Sequence, residues 1–276
     1  MNNSNYTDIP DTILHRKGAR KAEDIPKEVK EYLQIGQLAT VNLTEWLAVD
    51  HAVLLKQILL QFDLQHYEHF MLSRLTETKI MKVIPAIALS WQTVMDELEE
   101  AEQKNIFNTL SLHRSDSVRC WAAFIVGLKP DLTLAQKLSM IRPFAADSHF
   151  GVREIAWMAV REAVINELEQ SLHILKDWLE DENEWTRRFA IEATRPIGVW
   201  AKHIAKLKAD PSMGLPLLEA VKSDPAKYVQ DSVANWLNDA SKSNPEWVKQ
   251  VCASWIESSN TKETNRIVKR ALRSLK

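Results

Sequence analysis

Apolar residues recur at three- and four-residue intervals almost throughout the chain, as in Val152, Ile155, Ala156, Ala159 and Val160. Few stretches show the period of two that a half-buried strand requires. The pattern predicts an all-α protein. Proline and short polar residues mark its boundaries, at Asp24 with Pro26, then Pro130, Pro196, Pro211, Pro225 and Pro245. Proline lacks the amide hydrogen that a helix interior uses, yet it fits the first turn. Most of the later boundaries lie about 15 to 30 residues apart, the size of one helix or a helix pair.

A repeat emerges when the boundaries are aligned. An Asp stands five residues before a Val or Thr followed by a polar residue: Asp147 with Val152-Arg153, Asp181 with Thr186-Arg187, and Asp224 with Val229-Gln230; Val118-Arg119 matches the second half. The successive intervals of 34, 34 and 43 residues fall near the period of helical-pair solenoids. In such a repeat the Asp is expected to cap the second helix of a pair, the Val to pack against the neighbouring repeat and the Arg to reach an adjacent loop. The fold expected is a right-handed superhelical solenoid of HEAT-like helical repeats with a concave binding face. One such domain would span residues 21–276, preceded by a loosely packed basic arm, residues 1–20, that carries His15, Arg16, Lys17 and Arg20.

Composition removes several classes of chemistry. Only six glycines occur in 276 residues, all isolated, against a usual share of about 7%. The dinucleotide fingerprint, the P-loop and the nucleophile elbow all need clustered glycines. Cys120 and Cys252 are far apart, and His66 with His69 lack further ligands, so neither a disulfide framework nor a metal site is expected. With no long apolar run and a polar start, the chain reads as cytoplasmic. The net charge of −2 hides a gradient: residues 185–276 hold 16 Lys/Arg against 9 Asp/Glu, an asymmetry that can mark an anionic partner.

Ten tryptophans are present, and some share helix faces with charged groups. Glu154, Trp157 and Arg161 are spaced i, i+3, i+7, as are Trp185, Arg188 and Glu192, with Arg195 continuing the second face. A third helix has Asn235, Asn238, Asp239 and Lys242. Side by side, such faces offer cations for a phosphate backbone, indoles for a sugar or cationic base, and carboxylates for positive charge developing at a sugar carbon. In the other reading of the same residues, Glu and Arg pair between neighbouring repeats while Trp fills the core.

From Arg161 to Asp239, about 80 residues, the sequence resembles the AlkC-type DNA glycosylases, HEAT-like-repeat alkylation-repair enzymes related to the AlkD type. The resemblance is carried by the run from Trp178 through Glu192 to Thr194-Arg195-Pro196, by Gly198-Val199-Trp200-Ala201, by Gly214 to Glu219, and by Ser232 to Asn238-Asp239. It implies catalytic roles for Glu192 and Asp239, with Glu154 as a further carboxylate, because Trp157 stands where AlkC-type members carry a Glu. It also implies lesion or sugar contacts by Trp157, Trp185 and Trp200, and backbone contacts by Arg153, Arg161, Arg188, Arg195 and Lys242.

The activity implied is hydrolysis of the N-glycosidic bond of cationic N3- or N7-alkylated bases, foremost 3-methyladenine, in duplex DNA without base flipping. No metal or cofactor is implied, the protein is expected to act as a monomer, and the immunoglobulin-like C-terminal domain of some members is expected to be absent. A non-catalytic repeat scaffold and a damaged-DNA binder are the alternatives.

Overall fold

The computed structural model of the chain describes residues 9–259 and 261–275, and these form 18 α-helices with short 3-10 turns and no strand. The helices of the first half are α1 (Asp11–Leu14), α2 (Lys27–Gln34), α3 (Leu43–Ala48), α4 (His51–Gln61), α5 (Glu68–Ser73), α6 (Ile80–Asp96), α7 (Glu100–Ser111), α8 (Asp116–Leu128) and α9 (Leu134–Ala145). Those of the second are α10 (Phe150–Ala159), α11 (Arg161–Asn166), α12 (Leu168–Asp177), α13 (Glu184–Ala193), α14 (Ala205–Ala209), α15 (Leu215–Ala220), α16 (Lys227–Ala240), α17 (Pro245–Ser258) and α18 (Lys262–Ala271). None of the described helices is long and apolar enough to cross a membrane.

The marked prolines Pro26, Pro225 and Pro245 do stand at helix starts, but the helices that begin there carry no side-chain cap; such caps start other helices, at positions the polar punctuation did not mark. Asn42, Asp50, Asn183 and Thr261 each accept a hydrogen bond from a first-turn amide, and Thr133 forms a reciprocal capping box with Gln136. Val118, Val152, Thr186 and Val229 are all buried, as the repeat requires. The polar residue after each follows one rule where its bonds are seen. The guanidinium of Arg119 donates to the carbonyls six and five residues before it, His113 and Arg114; Arg187 does the same to Asp181 and Glu182, and the Gln230 amide to Asp224 and Pro225. Each thereby satisfies the loop carbonyls just ahead of its helix.

The Asp of the repeat has a role slightly different from that expected. Asp181 accepts from the Asn183 amide and Asp224 from the Ala226 amide, so each closes the turn before the helix while the capping position itself falls later. Asp224 also receives a bidentate pair from Arg187, at 2.7 and 3.0 Å, tying one repeat to the next.

The described residues fall into two compact units. The first comprises the chain through Lys129 together with His149–Ile155, and the second comprises Pro130–Ser148 and the chain from Ala156 onward. In the first, α6 and α7 pack on α8; in the second, α13 packs on α16 and α16 on α18.

The described part of the expected arm is docked within the first unit. Arg16 donates to both carboxylate oxygens of Glu45, which is 1% exposed, and to the Ile13 and Ala39 carbonyls, while Asn42 donates to the Ala19 carbonyl. Residues 1–8 of that arm lie outside the described residues. Gly18 makes the turn at φ +73°, where an added Cβ would collide with the Asn42 and Val41 side chains. Gly18→Ala is therefore expected to cost about 2 kcal/mol, read as a lower melting temperature; an unchanged melt would show that the docked turn contributes no stability.

Candidate active site

Helix α13 is buried on nearly every side, although it carries Arg188 and Glu192 among Phe189, Ala190 and Ile191. Its polar groups therefore need partners within the protein, and α16 supplies them. Glu192, 2% exposed, accepts a 2.7 Å hydrogen bond from the Ser232 hydroxyl and one of 3.1 Å from Arg195. Arg195 bridges onward to Asp239, its Nε and second terminal nitrogen standing 2.9 and 2.8 Å from one carboxylate oxygen. Lys242 lies 3.3 Å from the other oxygen. Arg188 sits 3.6 Å from Glu192 with its guanidinium over the Tyr228 ring, 4.1 Å from the centroid. The result is a continuous line, Arg188–Glu192–Arg195–Asp239–Lys242, running from the interior to solvent.

Burial alone would push the Glu192 carboxyl up, but Arg188, Arg195 and the Ser232 hydrogen bond outweigh it and hold Glu192 below its ordinary value. Burial likewise works against the Arg195 cation, and the two carboxylates overcome it, leaving Arg195 raised. Both partners are thus charged near neutral pH. Such a line carries a large desolvation cost that its mutual attraction offsets, and removing one member leaves another uncompensated.

A second device holds the segment that follows α13. The Arg161 guanidinium, 2% exposed, donates to the carbonyls of Ala193, Arg195 and Lys202 at 2.7, 2.5 and 2.9 Å. It thereby staples the end of α13 and both sides of the 195–202 loop. Under it lies Trp157, buried at 1% exposure, and Gly198 packs so closely that an added Cβ would meet Ala201, Arg161 and Trp157 at 3.1 to 3.4 Å. At the tip, Trp200 is 57% exposed with φ +57°. A tryptophan in this left-handed region is held there by its surroundings. Burial first and the neighbouring Arg195 cation second bring Arg161 down to about 10, against the opposing fields of Glu192 and Asp239.

The residues proposed from sequence therefore separate. Glu192, Arg195, Asp239 and Lys242 come together, and Trp200 tips the loop that begins at Arg195. Trp157 faces the core, so it presents no ring to a sugar. Arg161, Arg188 and Arg195, assigned from sequence to the DNA backbone, are engaged within the protein by carbonyls, an aromatic ring and carboxylates. Trp185 is half-buried at the start of α13; Arg153 and Glu154 are half-buried on α10, in the first unit. Ser232 and Tyr228 are participants that the sequence reading passed over. The signal was present in the spacing, because residues 228, 232, 235 and 239 share one face of a helix.

Other parts of the molecule offer less chemistry. Cys120 and Cys252 are buried, and His66 and His69 are exposed; no group of three or more His, Cys, Asp or Glu side chains among the described residues is placed to hold a metal. A cavity of about 850 Å³ in the first unit is lined by Pro10, Leu14, Gln37 and Arg16, and its Arg16 is already committed to Glu45.

Comparison with known proteins places these elements. The chain shares its fold with the Pseudomonas fluorescens alkylpurine DNA glycosylase AlkC, whose structure was solved bound to DNA containing an abasic site analog; the TM-score is 0.68 and the identity 23%, over 94% of this chain and 65% of that one. AlkD2 from Streptococcus mutans superimposes with a TM-score of 0.58 and 25% identity, over 76% of this chain and 97% of that one. Uncharacterized protein YhaZ of Bacillus subtilis (strain 168) is 41% identical over 117 residues, 42% of this chain and 32% of that protein. The chain thus spans about a third of YhaZ and just under two thirds of AlkC. The family described as DNA alkylation repair enzyme matches residues 130–275, which contain the whole Arg188–Lys242 line and the Trp200 loop, and the chain belongs to that family.

Proposed function

We propose that this chain hydrolyses the N-glycosidic bond of cationic N3- and N7-alkylated bases in duplex DNA, 3-methyladenine foremost, without extruding the base. The observation that carries the reading is the line of charge ending at Asp239, a carboxylate kept at the edge of the interior by Arg195 and Lys242. An alkylated purine already bears positive charge, so it leaves without being protonated. The C1′–N bond breaks with its electron pair going to the base, which departs neutral, and the sugar carbon becomes cationic. Asp239 stabilises that carbon and takes a proton from the water that adds to it, leaving an abasic site. Lys242, 53% exposed, turns to a phosphate and releases one Asp239 oxygen for this task. Glu192 holds Arg195 in position, and the exposed indole of Trp200 meets the sugar-phosphate surface beside the lesion.

The test is release of bases from methylated duplex DNA by the purified protein. Wild type should liberate 3-methyladenine, and Asp239→Asn, folded by circular dichroism, should do so about 10²-fold more slowly. Equal release by the variant, or none by folded wild type, overturns the assignment. The second reading, a binder of alkylated DNA that does not cut it, draws on the buried Trp157 standing where the resemblance calls for a Glu. It requires lesion-selective binding with no base released.

A further inference from the structure

Arg161, Arg188 and Arg195, proposed as phosphate contacts, have partners within the protein, and the C-terminal third holds other Lys and Arg. The basic side chains of α18 and the turn Leu272–Ser274 have a different disposition. Arg266, Lys269, Arg270 and Arg273 are spaced i, i+3, i+4, i+7, one face of a helix. Their orientation is set by α16. Arg266 and Arg270 share the single carboxylate of Asp231 at 2.6 and 3.0 Å, and Arg273 donates to the Asn235 side chain at 2.9 Å. Asp231, Asn235 and Asp239 are successive members of one row on α16, so the basic row of α18 runs beside the row that ends at the candidate catalytic carboxylate.

Charge along this row is unbalanced. Arg266 and Arg270 share one carboxylate, Asp231, Arg273 has only the neutral Asn235 side chain as its partner on α16, and Asp239 is already paired with Arg195 and Lys242. Lys269 and Arg273 are exposed and the Arg270 side chain is 44% exposed. Burial first and the neighbouring Arg270 cation second lower Arg273 from its ordinary value, against the opposing fields of Asp239 and Asp231. Exposed arginines with excess positive charge, held at fixed spacing, suit the phosphate oxygens of a nucleic-acid backbone, to which a guanidinium offers two parallel donors.

We infer that Arg270, Arg273 and Lys269 form a phosphate track that grips the duplex backbone alongside the lesion site. The track rests on the reading of duplex DNA as partner, and it adds to Lys242 a grip by residues that the sequence did not offer.

The experiment measures binding, not base release. The full chain is titrated with a fluorescent duplex carrying an uncleavable abasic-site analogue, from about 50 to 200 mM salt. For wild type, the logarithm of affinity should fall with the logarithm of salt at a slope of about −0.9 per phosphate held. Arg270→Gln with Arg273→Gln should weaken binding at least tenfold at the lowest salt and make the slope shallower by about 1.8. Arg270→Lys with Arg273→Lys, which keeps the charge, should restore most of the slope. A purely structural role would not produce this charge-dependent slope. If wild type binds and the Gln pair leaves the slope unchanged, the track is overturned while the DNA reading stands. If folded wild type does not bind duplex DNA, both fall together.

Discussion

Arg161→Met is expected to destabilise the second unit by about 3 to 5 kcal/mol, lowering its melting temperature by roughly 6 to 20 °C. Methionine follows the aliphatic stem of arginine, so little volume is lost. The loss lies in the donors. The three carbonyls that Arg161 reaches belong to Ala193 in the last turn of α13, to Arg195, and to Lys202 on the far side of the loop. A helix end already leaves its last carbonyls without intrahelical partners, and each buried acceptor abandoned costs about 1 to 3 kcal/mol. Arg161→Lys keeps the charge but has one compact ammonium in place of a planar fork, so its melt should fall between those of Met and wild type. Amide exchange over 194–204 should quicken in both variants. A methionine variant that melts within 2 °C of wild type, with the loop equally protected, would show that the staple carries no stability. Because the loop presents Trp200, loss of the staple should also blunt whatever that indole does.

Arg161 also shows where sequence reading stops. The 34-residue ladder and the burial of Val118, Val152, Thr186 and Val229 were legible, but the spacing that set Arg161 on one helix face with Glu154 and Trp157 missed the break at Val160, after which Arg161 opens α11. Periodicity states which residues share a face. It does not state whether that face meets solvent or the next helix. Arg188 and Glu192 share the face of Trp185, yet α16 covers them and leaves Trp185 half-buried. An arginine advertises an acceptor without specifying a phosphate, a carboxylate or a carbonyl, and here Arg195 and Arg161 found the latter two. Motif and spacing both singled out Glu192 and Asp239, and the fold joins the two through Arg195, a link that neither motif nor spacing stated. Of the boundaries between the two compact units, that at Pro130 coincides with a marked proline, whereas that after Ile155 falls inside α10, with no linker or change of composition to mark it.

Mild acid is expected to weaken the first unit before the second. His51 is buried and accepts a 2.9 Å hydrogen bond from Trp121 Nε1 on its Nδ1, while its Nε2 has no partner. Burial, only partly opposed by Asp50, pushes it down to about 4. His113 is brought to about 4 by burial, then by Arg119 and Arg114. Both fall below the ordinary histidine value of about 6.5 that an unfolded chain displays. Between the two values the unfolded state binds protons that the native state refuses, so stability is intact above about pH 6.5 and drains away as pH falls toward 4. For His51 the loss is about 2 kcal/mol by pH 5 and about 3 by pH 4; His113, less fully buried, adds a smaller amount of the same sign. Glu192 behaves differently. Its folded value lies below that of an ordinary carboxylate, so its contribution persists above that ordinary value and is lost only as pH falls through the lower folded one. The window from pH 6.5 to about 4.5 therefore acts on the first unit and spares the Glu192 line. Urea unfolding at pH 7.5 and 5, followed by hydrogen exchange in α4 and α8 for the first unit and in α13 and α16 for the second, should show the first pair losing protection and the second retaining it. Equal losses in both, or a His51 ring proton titrating near 6.5 by NMR, would overturn the assignment. His51→Asn, which keeps an acceptor for Trp121, should be less stable at pH 7.5 yet lose less on acidification, because the native state then has one fewer proton to refuse.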